Sequence, residues 1–183
     1  MANVINFFNK PLLKIPLAFG LLAGFVCFLF FLVVQNLEKF SGTSRALDVG
    51  FFAIIISTAC WYYRKNIGKG YLHAWEGISI GYVVWLTGAL LCGYLTFMFF
   101  YFSPSALVRY KETLRASLLV NQAEAIKVWG KEIFQQKLAD ISLLTPSSFI
   151  FDEFRFTLLL VIIVILLIAL IFRKKKVEED NVR

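Results

Sequence analysis

The stretch HAWEGISIGYVVWLTG, residues 73–88, contains the chain's only histidine and a glutamate three residues after it. Positions three apart are neighbours on a helix, so His73 and Glu76 could pass a proton between ring and carboxylate, or share a metal ion. A metal centre would need more ligands. No second histidine exists, and no third ligand stands at metal-binding spacing. The simpler reading is a polar helix start, with Glu76 near the positive end of the helix dipole. Cys27, Cys60 and Cys92 each fall inside an apolar run, without metal-ligand spacing or an even-numbered disulfide set. They read as reduced packing residues. Nucleotide-binding loops, zincin motifs, nucleophile elbows and kinase signatures are all missing from the sequence. The expectation is therefore no catalytic residue, no cofactor and no metal site, in a chain that is not an enzyme.

Contact chemistry is better represented. Gly77 and Gly81 are four apart and Gly88 extends the same helical face seven residues on, so one side of that helix is nearly bare backbone. Gly20 and Gly24 repeat the small-xxx-small spacing near the N-terminus. Glycine lets two helix backbones approach closely, and the two rows predict pairing of the helices that carry them. A homo-oligomer would use the same faces.

The elements that position these residues follow from composition. The chain has 183 residues, 59% hydrophobic and 17% charged, with a mean hydropathy of +0.72. A soluble domain typically has roughly 45–50% apolar and about 25% charged residues. A membrane protein is predicted. A crossing helix needs about 20 apolar residues, since it rises about 1.5 Å per residue through roughly 30 Å of hydrocarbon. Four stretches approach that length: 15–34, 47–63, 78–102 and 156–172. Trp61, Tyr62 and Tyr63 sit where interfacial aromatics are favoured, and Arg173, Lys174, Lys175 and Lys176 end the last stretch. The first stretch lacks a small-residue cleavage site after it and reads as a retained signal anchor.

Lysine and arginine near span ends are retained in the cytoplasm. With segments 1–14, 64–77 and 173–183 inside, ten basic and four acidic residues lie there, against nine basic and seven acidic in segments 35–46 and 103–155 outside, with Asp48 an eighth acid at the outer edge of the second stretch. The net charge of +7 thus belongs to membrane flanks, not to nucleic acid recognition. Membrane lipids are the expected partners of Arg173 to Lys176.

The 103–155 segment should be helical. Ser103 is a plausible N-cap with Pro104 at the first helical position, and Asn121 with Glu124 three residues on resembles a capping box. Ile126, Trp129, Ile133 and Phe134 then recur at helical spacing across Gly130, which interrupts the run near its middle. That face reads either as a cap over the span ends or as an outer docking surface. Span interiors carry no ionisable residue of the kind that marks ion or substrate paths.

The order of features resembles the bacterial domain of unknown function 4199 family. It rests on FGLLAG in the first span, RKNIGKGYLHAWEGISIGYVVWLTGALLCGY through the third, YFSPS opening the outer segment and RKKK closing the last, over roughly residues 10–176. The resemblance implies a small inner-membrane protein with no established activity. The expectation is an all-α integral membrane protein with four transmembrane helices, an extracytoplasmic helical insertion between the third and fourth, and both termini cytoplasmic. Its expected role is that of a non-enzymatic accessory or scaffold subunit working with other proteins of an envelope assembly. An oligomeric channel or carrier for a small or lipid-like solute is the alternative.

Overall fold

A computed structural model of the protein describes residues 11–36 and 42–173, the side chains of 42–46, 151–157 and 159 aside. Every regular element among them is a helix: α1 Pro11–Asn36, α2 Gly42–Asn66, α3 Ala74–Phe102, α4 Pro104–Val120, α5 Gln122–Trp129, α6 Lys131–Leu143 and α7 Ser148–Phe172. The long helices α1, α2, α3 and α7 form a bundle, with α3 touching the other three. Contacts set their directions. Gly20 lies by Val84 and Thr87, and Gly24 by Gly88 and Leu91, so α1 and α3 are parallel. Phe19 meets Tyr62 and Phe30 meets Phe51, so α2 runs against α1. Gly77 faces Ala169 and Gly93 faces Ile150, so α7 runs against α3.

The expectation of four membrane-crossing helices is corrected here. Among the described residues two helices, α1 and α3, are long and apolar enough to cross a membrane. In α2 the charge-free stretch between Asp48 and Arg64 covers only residues 49–63, about 22 Å of helix against roughly 30 Å of hydrocarbon. In α7 the described apolar run is Leu160–Phe172, shorter still. The fold is all-α, as expected, with two candidate spans and not four.

The core runs along the bundle axis through Ala23, Phe52, Ile56, Ile80, Val84 and Ile165, all fully or almost fully buried. Polar insertion is avoided. Thr58 and Thr87 return their hydroxyls to the carbonyls of Ile54 and Val83, at 2.8 and 2.6 Å, so each of these two donors is satisfied within its own helix. Cys27, Cys60 and Cys92 are buried thiols. A water-soluble maleimide should label none of the three in the folded protein and all three once it is denatured, which mass spectrometry of the intact chain would read directly. Rapid labelling of the native protein would contradict the packing described.

Local signals explain the boundaries at the far end of the bundle. Phe99 O accepts the Ser103 amide at 3.0 Å, and Pro104 opens α4 where its missing N–H costs nothing. Gly130 separates α5 from α6 with a φ of 85°, in the region that favours glycine. The capping box expected at Asn121 and Glu124 does not form. Asn121 instead turns its amide back to the Ser117 carbonyl at 3.2 Å, closing α4 and not opening α5.

Candidate functional site

Three regions position the side chains singled out by sequence: the glycine contacts inside the bundle, a basic end, and the α4–α6 cap at the distal end.

Glycines make the bundle tight where helices cross. A methyl group added at Gly24 would stand 2.6 Å from the Gly88 carbonyl oxygen and 2.9 Å from Leu91 Cβ, so backbone meets backbone there. At Gly20 an added methyl would strike the Thr87 hydroxyl. The row on α3 is divided between partners. Gly88 faces Gly20 of α1 and the Phe52 ring of α2, whereas Gly77 and Gly81 admit Ala169 and Ile165 of α7. Gly93, off the seven-residue row, receives the Ile150 backbone, with its carbonyl oxygen 2.9 Å from an added methyl. Spacing alone would not have selected it.

At the basic end, α2 stops at Asn66 and a turn leads to α3 through Lys69, at φ 49°, and Gly70, at φ 91°. His73 is the N-cap of α3, and its amide donates to Glu76 Oε2 at 2.8 Å. That bond belongs to a capping box, so the Glu76 carboxylate is engaged by backbone at a helix start, where the dipole also favours negative charge. Glu76→Ala should cost about 1 kcal/mol of stability, the usual worth of a cap. Thermal unfolding in detergent would read it, with no loss at all arguing against the box. Burial, and secondarily the Glu76 charge, raise the Tyr63 phenol above its ordinary range. Arg64 donates to the Phe172 carbonyl at 3.5 Å and lies 6.0 Å from that residue's ring centroid, so it closes the last turn of α7, where a cation is favoured. Sequence reasoning took Arg64 only as a flank charge. Arg173 is exposed beside it. Lys174, Lys175 and Lys176, expected to share its anchoring role, lie outside the described residues, as do segments 1–10, 37–41 and 177–183.

At the distal end, an aromatic box joins α1, α3, α4 and α7. Phe100 is the centre, with ring centroids 4.6 Å from Phe149, 5.4 Å from Tyr110 and 5.7 Å from Phe31. Gln35, buried on α1, donates to the Ala106 carbonyl of α4 at 3.4 Å. Lys111 Nζ reaches the Ser142 carbonyl at 3.0 Å, tying α4 to the end of α6. The cap is thus braced. Of the residues expected on its outer face, Trp129 and Ile133 are exposed, at 39% and 49%, and Ile126 is half-buried. Phe134 is corrected: it is only 3% exposed and cannot contact a partner. Gly130 breaks the helix, so the face read across it as continuous is not. Val128 and Leu143, at 71% and 74%, are exposed instead.

Among the described residues no three His, Cys, Asp or Glu side chains gather where a metal ion could be held. What the arrangement offers is surface: close-packing helices, a cationic end and an apolar-faced cap. The family model described as Protein of unknown function (DUF4199) matches residues 18–174, which takes in the cap and all of the bundle except the start of α1. The chain belongs to that family. No curated protein and no solved structure matches it. The matched region of this DUF4199 protein includes both the glycine contacts and the end of α2 and following turn that carry Lys65 and Lys69.

Proposed function

We propose that this protein is a membrane-embedded, non-enzymatic accessory or scaffold subunit of a bacterial cell-envelope assembly, in which the bundle fixes position and the cap binds another membrane protein. The observation that carries this reading is the cap itself. It is braced to the bundle through Phe31, Phe100, Tyr110 and Phe149, yet leaves Val128, Trp129, Ile133 and Leu143 uncovered. Apolar residues held open on a rigid support are what a partner interface requires, since little ordering entropy is lost on binding.

Placement follows from charge. Lys14, Arg64, Lys65, Lys69 and Arg173 belong to the helix ends and turn at one end of the bundle. Retention of cations in the cytoplasm puts that end inside the inner membrane and the cap outside, with both termini on the cytoplasmic face of a multi-pass protein. Outward-facing Leu21, Leu22, Phe25 and Leu29 on α1, and Leu86 and Leu90 on α3, are exposed to the medium around the bundle. Lipid satisfies them as water does not.

A pull-down of the tagged full chain in mild detergent, with the size of the eluted complex measured, tests the reading. A stoichiometric partner that is lost in the Trp129→Ser, Ile133→Ser double variant, while the chain itself stays folded and abundant, is the expected result. A uniform homo-oligomer without partners, passing solute in vesicles, would replace the scaffold by the channel or carrier.

A further inference from the structure

Three separate parts of the chain meet at the basic end: the start of α1, the α2–α3 turn and the end of α7. Among the described residues they bring five cations, Lys14, Arg64, Lys65, Lys69 and Arg173, against one carboxylate, Glu76. That carboxylate already accepts the His73 amide, and Arg64 is turned onto the end of α7. Lys14, Lys65, Lys69 and Arg173 are exposed, and among the described residues no other carboxylate stands at this end to neutralise them. Trp61, Tyr62 and Trp75 are exposed at the same level of the bundle, and Lys65 Nζ sits 5.0 Å from the Trp61 ring centroid.

Exposed amphipathic rings mark the headgroup layer, because ring and polar edge are both satisfied there. Lysines and arginines at that depth meet phosphate, and an anionic leaflet draws them further. We propose that this end of the bundle selects anionic phospholipids, whose phosphates are held by Lys14, Lys65, Lys69 and Arg173 beside the Trp61, Tyr62 and Trp75 rings. The occupant is a lipid and not free phosphate, because a small anion would leave the exposed Trp61, Tyr62 and Trp75 rings at this end unsatisfied. Lys69 lies in the turn between α2 and α3, at a left-handed φ of 49°, and is exposed.

This inference rests on the membrane-embedded reading above, and one experiment separates the two. The full chain, carrying Trp129→Phe so that the cap does not report, is reconstituted into vesicles of phosphatidylcholine. A rising fraction of dibrominated lipid is then added, either phosphatidylcholine or phosphatidylglycerol, and tryptophan quenching is followed. Trp85 is buried and gives a constant background, so Trp61 and Trp75 supply the signal. Quenching should reach half its final value at an at least threefold lower fraction of brominated phosphatidylglycerol than of brominated phosphatidylcholine. The Lys14→Gln, Lys65→Gln, Lys69→Gln, Arg173→Gln variant should bring that ratio close to one while still floating with the vesicles. Equal quenching by the two lipids in the unmodified basic end overturns the proposal, and so does a preference that survives in the quadruple variant. A chain that fails to float with phosphatidylcholine vesicles overturns the membrane reading beneath it.

Discussion

Gly24→Leu should destabilise the folded bundle by about 3 kcal/mol, the upper end of what overpacking a close-packed interior costs. The reason is what the new side chain would meet. An added methyl stands 2.6 Å from the Gly88 carbonyl oxygen and 3.2 Å from its Cα, and neither can rotate aside. Either α1 and α3 separate or both backbones bend, and contacts along the whole interface are lost with them. Gly20→Ala presents a softer case, since its first obstacle is the Thr87 side chain. Thr87→Ala should recover part of the loss, though the Val84 carbonyl 2.9 Å away remains. Gly50 is the control. An added methyl there has nothing within 4 Å, and Gly50→Ala on α2 should raise stability by up to about 1 kcal/mol through helix propensity. Reversible unfolding in mixed micelles would rank these variants. A Gly24→Leu protein as stable as the unmodified one would mean that α1 and α3 do not cross where described.

Phe100→Ala should cost about 3–5 kcal/mol, as for other large aromatics removed from a core. Phe100 is 1% exposed and its ring neighbours come from three other helices: Phe31 of α1, Tyr110 of α4 and Phe149 of α7. Aromatic pairs contribute about 0.5–1.5 kcal/mol each beyond their buried area, so several such terms are lost together. The loss is also directional. Without the central ring the cap loses its brace, so proteolysis within 104–143 should accelerate before the bundle itself unfolds. Phe102, on the same helix but 76% exposed, gives the comparison: Phe102→Ala should fall within about 0.5 kcal/mol of the parent. Equal protease resistance in the two variants would show that the box does not hold the cap.

The difference between those two phenylalanines was not legible in the sequence. FMFFYF presents aromatic side chains on nearly every side of α3 at that point, so hydrophobic periodicity has no contrast from which to pick the buried ring. The same uniformity hides the partners of the glycines. Small residues at four- and seven-residue spacing announce that some helix comes close, but Gly77 and Gly88 share a face and still meet different helices, because α1 and α7 cross α3 at different heights. Arg64 is a third case. Its charge was read only as a membrane flank, and its contact with Phe172 is a pairing across 108 positions of sequence that no local pattern encodes.

Local chemistry, by contrast, was enough for much of the architecture. An all-α chain follows from long apolar runs without strand-like alternation. Pro104 placed the start of α4, Gly130 the break between α5 and α6, and His73 with Glu76 the start of α3, since each acts through atoms within a few residues of itself. Where the sequence offered two similar capping signals, the Asn121 one lost to a competing bond with Ser117, a choice set by how tightly α4 closes. Membrane length was overestimated for 47–63 because apolar composition was counted past a charge at Asp48, and in 156–172 the described apolar run is Leu160–Phe172. By itself, then, the sequence determined the all-α fold and the apolar runs of α1 and α3, long enough to cross a membrane, all short-range consequences of side-chain type. Only the tertiary structure decided which glycine meets which backbone, which aromatic ring is the centre of the cap's support and which residues of the cap stay open, because those depend on helix crossings that bring distant residues into contact.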